Sequence, residues 1–122
     1  MNSKTIAEHI AYAASKMKAK DIVIIDLRSL TSFTDYFVIC SGTSDRQVSA
    51  IAETVKVDMK AKEQRPLGIE GQDEGRWVLV DYGDVVAHVF HEEDREFYEL
   101  EKLWGDAPRV EFVESAAQSE TA

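Results

Sequence analysis

Gly42-Thr43-Ser44 stands ahead of a long amphipathic run, where a glycine turn could cradle a phosphate on the free N–H groups of a helix start. The stretch matches neither the Walker spacing nor the dinucleotide fingerprint. A glycine turn followed by a serine cap accounts for the same residues. A nucleotidyltransferase also places a Gly-Ser-type turn after a strand, but it needs paired carboxylates on a neighbouring strand to hold Mg²⁺. Asp81 and Asp84 are the nearby pair, and they flank Gly83 in a turn where aspartate is common for local reasons. His88-Val89-Phe90-His91-Glu92-Glu93 invites a metal reading, yet it lacks the second histidine of a His-Glu-x-x-His helix motif. If the strand runs on to His91, the two imidazoles point to opposite faces. His91 then reads as a helix-start residue and His88 as a surface or partner contact. Cys40 lies inside the apolar run Tyr36-Phe37-Val38-Ile39-Cys40 and reads as a small core residue. Catalysis is not supported by these residues, and they imply no cofactor and no metal.

The elements that must carry these residues follow from periodicity. A first helix is expected over about residues 4–18, with Ile6, Ile10, Ala13, Ala14 and Met17 on one stripe and Thr5 and Glu8 at capping-box spacing. Ile22 to Leu27 is a continuous β-branched run of the kind buried on both faces of a sheet. Tyr36 to Cys40 is a second, and the connection between them is too short for a parallel crossover, so they pair antiparallel. A long helix follows over about 45–63, with Ser44 and Gln47 at capping-box spacing and Val48, Ile51, Ala52, Val55 and Met59 buried. Arg65-Pro66 ends it, and Leu67 to Glu70 is a short strand reached by a right-handed parallel crossover. A hairpin comes next, Arg76 to Asp81 and Val85 to Phe90 around Gly83. The last helix, about 92–104, opens on Glu92, Glu93 and Asp94, and Gly105 falls where its C-terminal cap belongs. The sum is an α+β domain, a mixed sheet of about five strands with three helices, occupying residues 1–110. Residues 111–122 form an acidic tail without a core pattern, expected to be disordered.

The hairpin is the most informative stretch. With a two-residue loop, one face collects Val78, Val80, Val85, Ala87 and Val89, and the other Trp77, Leu79, Asp81, Val86, His88 and Phe90. The first set is small and aliphatic and suits packing beneath helices. The second mixes aromatics with a carboxylate and an imidazole, the composition of interface anchors. A helix covering this second face is the other reading of the same pattern.

Composition bounds the partner. The chain has 122 residues, enough for one domain that needs no disulfide or metal. Its formal charge of −9 opposes phosphate backbones and anionic membranes and favours a basic protein surface. No apolar run approaches the roughly 20 residues that span a bilayer, and no signal or transit peptide is recognisable, so a cytoplasmic protein is expected.

Several stretches together are more specific than any single motif. Asp35-Tyr36-Phe37-Val38-Ile39-Cys40-Ser41-Gly42-Thr43-Ser44-Asp45-Arg46-Gln47-Val48 closely resembles the signature of the ribosomal silencing factor family, also called RsfS or Iojap-like. Pro66-Leu67-Gly68-Ile69-Glu70-Gly71 and Arg76 to Val86 continue it, and His88-Val89-Phe90-His91 and Tyr98 to Trp104 complete it, so that the resemblance spans about residues 4–108. It implies a non-enzymatic translational repressor on a sheet related to nucleotidyltransferases. Such proteins bind the large ribosomal subunit through the ribosomal protein L fourteen, block joining of the small subunit when nutrients are scarce, and in organelles assist large-subunit assembly. Trp77, Leu79, Asp81, Tyr82, Asp84, His88 and Phe90 are then the expected ribosomal-protein contacts, with Trp77 and Leu79 at the centre. No DNA or membrane partner is expected, and the chain reads as a monomer or weak homodimer. A nucleotidyltransferase-like or nucleotide-binding enzyme using the Gly42 turn is the alternative, and an adaptor for a non-ribosomal partner is another.

Overall fold

The structure is a computed structural model and describes residues 1–98 and 107–110. The order of elements is α1 (Ser3–Lys16), β1 (Lys20–Asp26), β2 (Tyr36–Gly42), α2 (Asp45–Ala61), β3 (Gly68–Glu70), β4 (Trp77–Asp81), β5 (Val85–His91), α3 (Glu92–Tyr98) and β6 (Arg109–Val110). Six strands make one mixed sheet in the order β3-β4-β5-β2-β1-β6. The α+β class and the three helices agree with the sequence. The sixth strand, two residues long and paired antiparallel with β1, is too short to leave a periodic signal.

Helix α1 starts one turn earlier than the Thr5–Glu8 spacing suggests. The Asn2 side chain accepts from the Thr5 N–H at 2.8 Å, so Asn2 is the cap and Thr5 lies within the first turn. The helix also stops sooner, because Lys18 takes a left-handed conformation at φ 59°. Helix α2 likewise ends at Ala61, before Arg65-Pro66. Glu63 at φ 62° turns the chain left-handed, and the Gln64 N–H donates back to the Met59 carbonyl at 2.8 Å. The apolar stripe of α2, Val48, Ile51, Ala52, Val55 and Met59, is buried as its spacing requires.

β1 and β2 pair antiparallel, and β2 is buried along its whole length. β1 is buried only in its second half, since the register slips between Lys20 and Val23 where Asp21 adopts φ 50°. β5 lies parallel to β2, from Tyr36 beside Val85 to Gly42 beside His91. β3 runs in the same direction as β2, but the two are not neighbours. The β4–β5 hairpin fills the space between them, because each strand of the meander pairs antiparallel with the next. The expected crossover therefore delivers β3 to the far edge of the sheet.

Both faces of the sheet are packed. On one, α1 and α2 lie over Ile24, Tyr36, Val38, Cys40, Val78, Val80, Val85, Ala87 and Val89. On the other, Ile25, Leu27, Phe37, Ile39, Val86, Phe90 and Ala107 cluster, with Val23, Trp77 and Leu79 half-buried against them. The expected continuation of the last helix to residue 104, its Gly105 cap and the tail from residue 111 lie outside the described residues.

Candidate protein-interaction surface

The hairpin has the register its sequence implies. Trp77 pairs with Phe90, Leu79 with His88 and Asp81 with Val86, and the loop is Gly83-Asp84 between Tyr82 and Val85. Gly83 sits at φ 86°, and its N–H donates to Asp81 Oδ1 at 2.7 Å. Asp81 is thus committed to the turn, as aspartate in this setting commonly is. Val78, Val80, Val85, Ala87 and Val89 all face the helices, while Trp77, Leu79, Val86, His88 and Phe90 face the other way.

Exposure divides the expected contact residues. Trp77, Leu79, Asp81 and Tyr82 are half-buried and Asp84 is exposed, whereas His88 and Phe90 are buried beneath them. Tyr82 shares the parity of Val80 and leans on the helix-side core. Its hydroxyl is buried without a partner among the described residues, and burial pushes its pKa up to about 12. What the chain offers outward on the far face is therefore a row of Trp77, Leu79 and Asp81 along β4, ending at the exposed Asp84.

Phe90 and His88 act from below. The rings of Trp77 and Phe90 stack with centroids 4.9 Å apart at 25°. The Trp77 indole N–H donates to His88 Nδ1 at 3.1 Å, and Phe37 meets the imidazole edge-on at 4.5 Å. Burial among these rings lowers the His88 pKa to about 4, so the imidazole is neutral at physiological pH, as its acceptor role requires.

The backbone that launches β4 is equally constrained. Gly71 sits at φ 80°, and a Cβ there would lie 2.1 Å from the Trp77 carbonyl oxygen, so only glycine fits. Arg76, just before Trp77, forks onto Asp94 at 2.9 and 3.0 Å and reaches Glu93 and Asp45, each at 3.4 Å. It ties the starts of α2 and α3 to the hairpin. Reading Glu92, Glu93 and Asp94 only as helix-dipole charges overlooked this clamp. The signal available was an arginine in the strand beside the one that feeds α3.

The Gly42 turn is filled by its own chain. Ser44 caps α2 by accepting from the Gln47 N–H at 3.1 Å. Gln47 Oε1 accepts from the Thr43 N–H at 2.6 Å and hydroxyl at 3.0 Å, and Gln47 Nε2 donates to the Met17 and Lys18 carbonyls at 3.2 and 3.3 Å. His91 ends β5 on the face opposite His88 and accepts from the Glu93 N–H at 3.3 Å, the helix-start role expected of it. Cys40 is buried, which pushes its thiol pKa up to about 12. Among the described residues, no three His, Cys, Asp or Glu side chains gather where they could hold a metal ion. No described helix is long and apolar enough to cross a membrane.

The family model for "ribosomal silencing factor during starvation" matches residues 1–122. The chain belongs to the ribosomal silencing factor family. A ribosomal silencing factor of Bacillus subtilis is 49% identical over 108 residues, covering 88% of this chain and 92% of that protein. Mouse mitochondrial assembly of ribosomal large subunit protein 1 is 44% identical over 89 residues, which are 70% of this chain and 39% of the mouse protein. A crystal structure from Chromobacterium violaceum superposes with a TM-score of 0.84 at 38% identity, covering 93% of each chain. Ribosome silencing and translation regulation are thus the setting of the family to which this chain belongs.

Proposed function

We propose that this chain represses translation without catalysing a reaction, by binding the large ribosomal subunit through the ribosomal protein L fourteen and so blocking the small subunit from joining. The observation that carries the reading is the row Trp77, Leu79 and Asp81 on β4, half-exposed above a rigid aromatic bed and ending at the exposed Asp84. Half-buried aromatic and aliphatic side chains on a rigid base are the composition of binding hot spots. The net charge of −9 favours a basic ribosomal protein and opposes stray contact with the surrounding RNA. The family's description as a silencing factor during starvation supports a role when nutrients are scarce, and the mouse relative's name concerns assembly of the large subunit. Residues 1–110 carry this binding domain, and the protein acts in the cytoplasm, where those subunits meet.

The test is a sucrose gradient with separated subunits and added protein. The expected result is migration of the protein with large subunits and a loss of joined ribosomes. Protein that stays at the top of the gradient while joining proceeds normally would overturn the reading.

A further inference from the structure

His88 raises a physical question that packing alone does not answer. The imidazole is buried among Phe37, Trp77 and Phe90, and its Nε2 has no partner among the described residues. With Nδ1 accepting from the indole, the proton of the neutral ring sits on Nε2. A buried N–H without an acceptor costs free energy that a phenylalanine or leucine at the same place would not incur. What the imidazole supplies in return is one acceptor, aimed at the one polar atom of Trp77.

We propose that His88 is a positioning residue: its Nδ1 takes up the Trp77 indole N–H and fixes the ring over Phe90. Trp77 then presents ring carbon, not a hydrogen-bond donor, to the ribosomal protein. The inference rests on the β4 surface being the partner contact. It assigns His88 to the support of that surface, one layer beneath it. From below, the indole N–H meets His88 at 3.1 Å and the ring stacks on Phe90 at 4.9 Å, while Phe37 holds the imidazole itself edge-on at 4.5 Å. An anchor held this way loses little side-chain freedom on binding, because its rotamer is set before the partner arrives. The chemistry that complements it is aliphatic: a methyl group, or the hydrocarbon stem of a lysine or arginine whose charged end reaches Asp81 or Asp84.

The first measurement is nitrogen NMR on isotope-labelled wild-type protein. The expected spectrum has His88 Nδ1 unprotonated, Nε2 protonated, and a through-bond coupling from the Trp77 indole N–H to Nδ1. A proton on Nδ1 would overturn the proposal. The second is affinity for purified large subunits in a double-mutant cycle. His88→Phe keeps ring volume and removes the acceptor, and it is expected to weaken binding about tenfold. His88→Gln restores an acceptor and is expected to stay within about threefold of wild type. In a Trp77→Phe background, which has no indole N–H, neither change should weaken binding further. If His88→Phe fails to fold, His88→Leu takes its place in the cycle. Wild-type affinity in His88→Phe, or a loss that persists undiminished beside Trp77→Phe, would overturn the proposal. Wild-type protein that does not bind large subunits would instead overturn the reading of the surface, and the NMR result would still decide whether the indole is locked.

Discussion

The two faces of the sheet are built from adjacent positions of the same strands, yet they differ in kind. The helix-side face is largely aliphatic and sealed, with Ile10, Val38, Ile51, Val55 and Val80 each at most 1% exposed and Tyr36 fully buried among them. The far face is aromatic and layered: Phe37, His88 and Phe90 are buried, and Trp77 and Leu79 are half-open above them. Aliphatic packing of this density has one outcome, a cooperative core. The far face carries a neutral imidazole that an oil-like core would not select. On the function proposed above, one face supplies stability and the other recognition, joined through β4 and β5.

The sharpest way to break the comparison is to damage the sealed face. Ile51→Ala removes a fully buried side chain between α2 and the sheet and should cost about 3 to 4 kcal/mol of stability by urea unfolding. The fraction that remains folded should bind large subunits with wild-type affinity. A cost under about 1 kcal/mol would mean that this face is not the main source of stability.

Acid acts on the far face through His88. The unfolded chain takes up a proton on His88 near the ordinary imidazole value of 6.5, whereas burial lowers the folded value to about 4. The unfolded state therefore binds more protons between those values, and stability falls as the pH drops through that window. The loss should reach on the order of 3 kcal/mol at pH 4 and be complete only below that, once the folded imidazole is protonated as well. Unfolding followed from pH 7 to pH 4 should show this slope in wild-type protein and not in His88→Phe. Equal slopes in the two proteins would remove His88 as the cause.

Trp77→Ala reverses the division expected of Ile51→Ala. It removes a half-buried side chain, so its effect on unfolding should be the smaller of the two. Its effect on large-subunit affinity should be about 2 kcal/mol or more, roughly thirtyfold. Unchanged affinity in a folded Trp77→Ala protein would move the contact off β4.

The sequence is a good guide to this division and a poor one to its layering. The odd-sum register of the hairpin followed from the two-residue loop at Gly83-Asp84, and it sorted the side chains of Trp77 to Asp81 and of Val85 to Phe90 onto their faces, while Tyr82, expected beside Trp77 and Leu79, leans on the helix-side core. Alternation does not report depth, so His88 and Phe90 read as surface residues although they lie beneath Trp77. The β3 placement was hidden for a related reason. The crossover fixes the direction of the strand, but which neighbour it finds depends on the hairpin that follows. The Arg76 clamp and the Asn2 cap depend on contacts that periodicity does not encode.

Gln47 gives the smallest effect and the cleanest control. The residue lies on the helix side, on the opposite face of the sheet from Trp77. Its side-chain oxygen satisfies the Thr43 N–H and its amide reaches the Met17 and Lys18 carbonyls where α1 ends, so it joins the start of one helix to the end of the other. Gln47→Ala removes these bonds without opening a cavity in the aliphatic core, and it should cost about 1 kcal/mol in urea unfolding. Large-subunit affinity should be unchanged, because nothing that Gln47 touches supports the indole. If Gln47→Ala weakened binding as much as His88→Phe, the Gly42 turn would belong to the contact surface, and the separation of the two faces into stability and recognition would fail at the point where it is easiest to check.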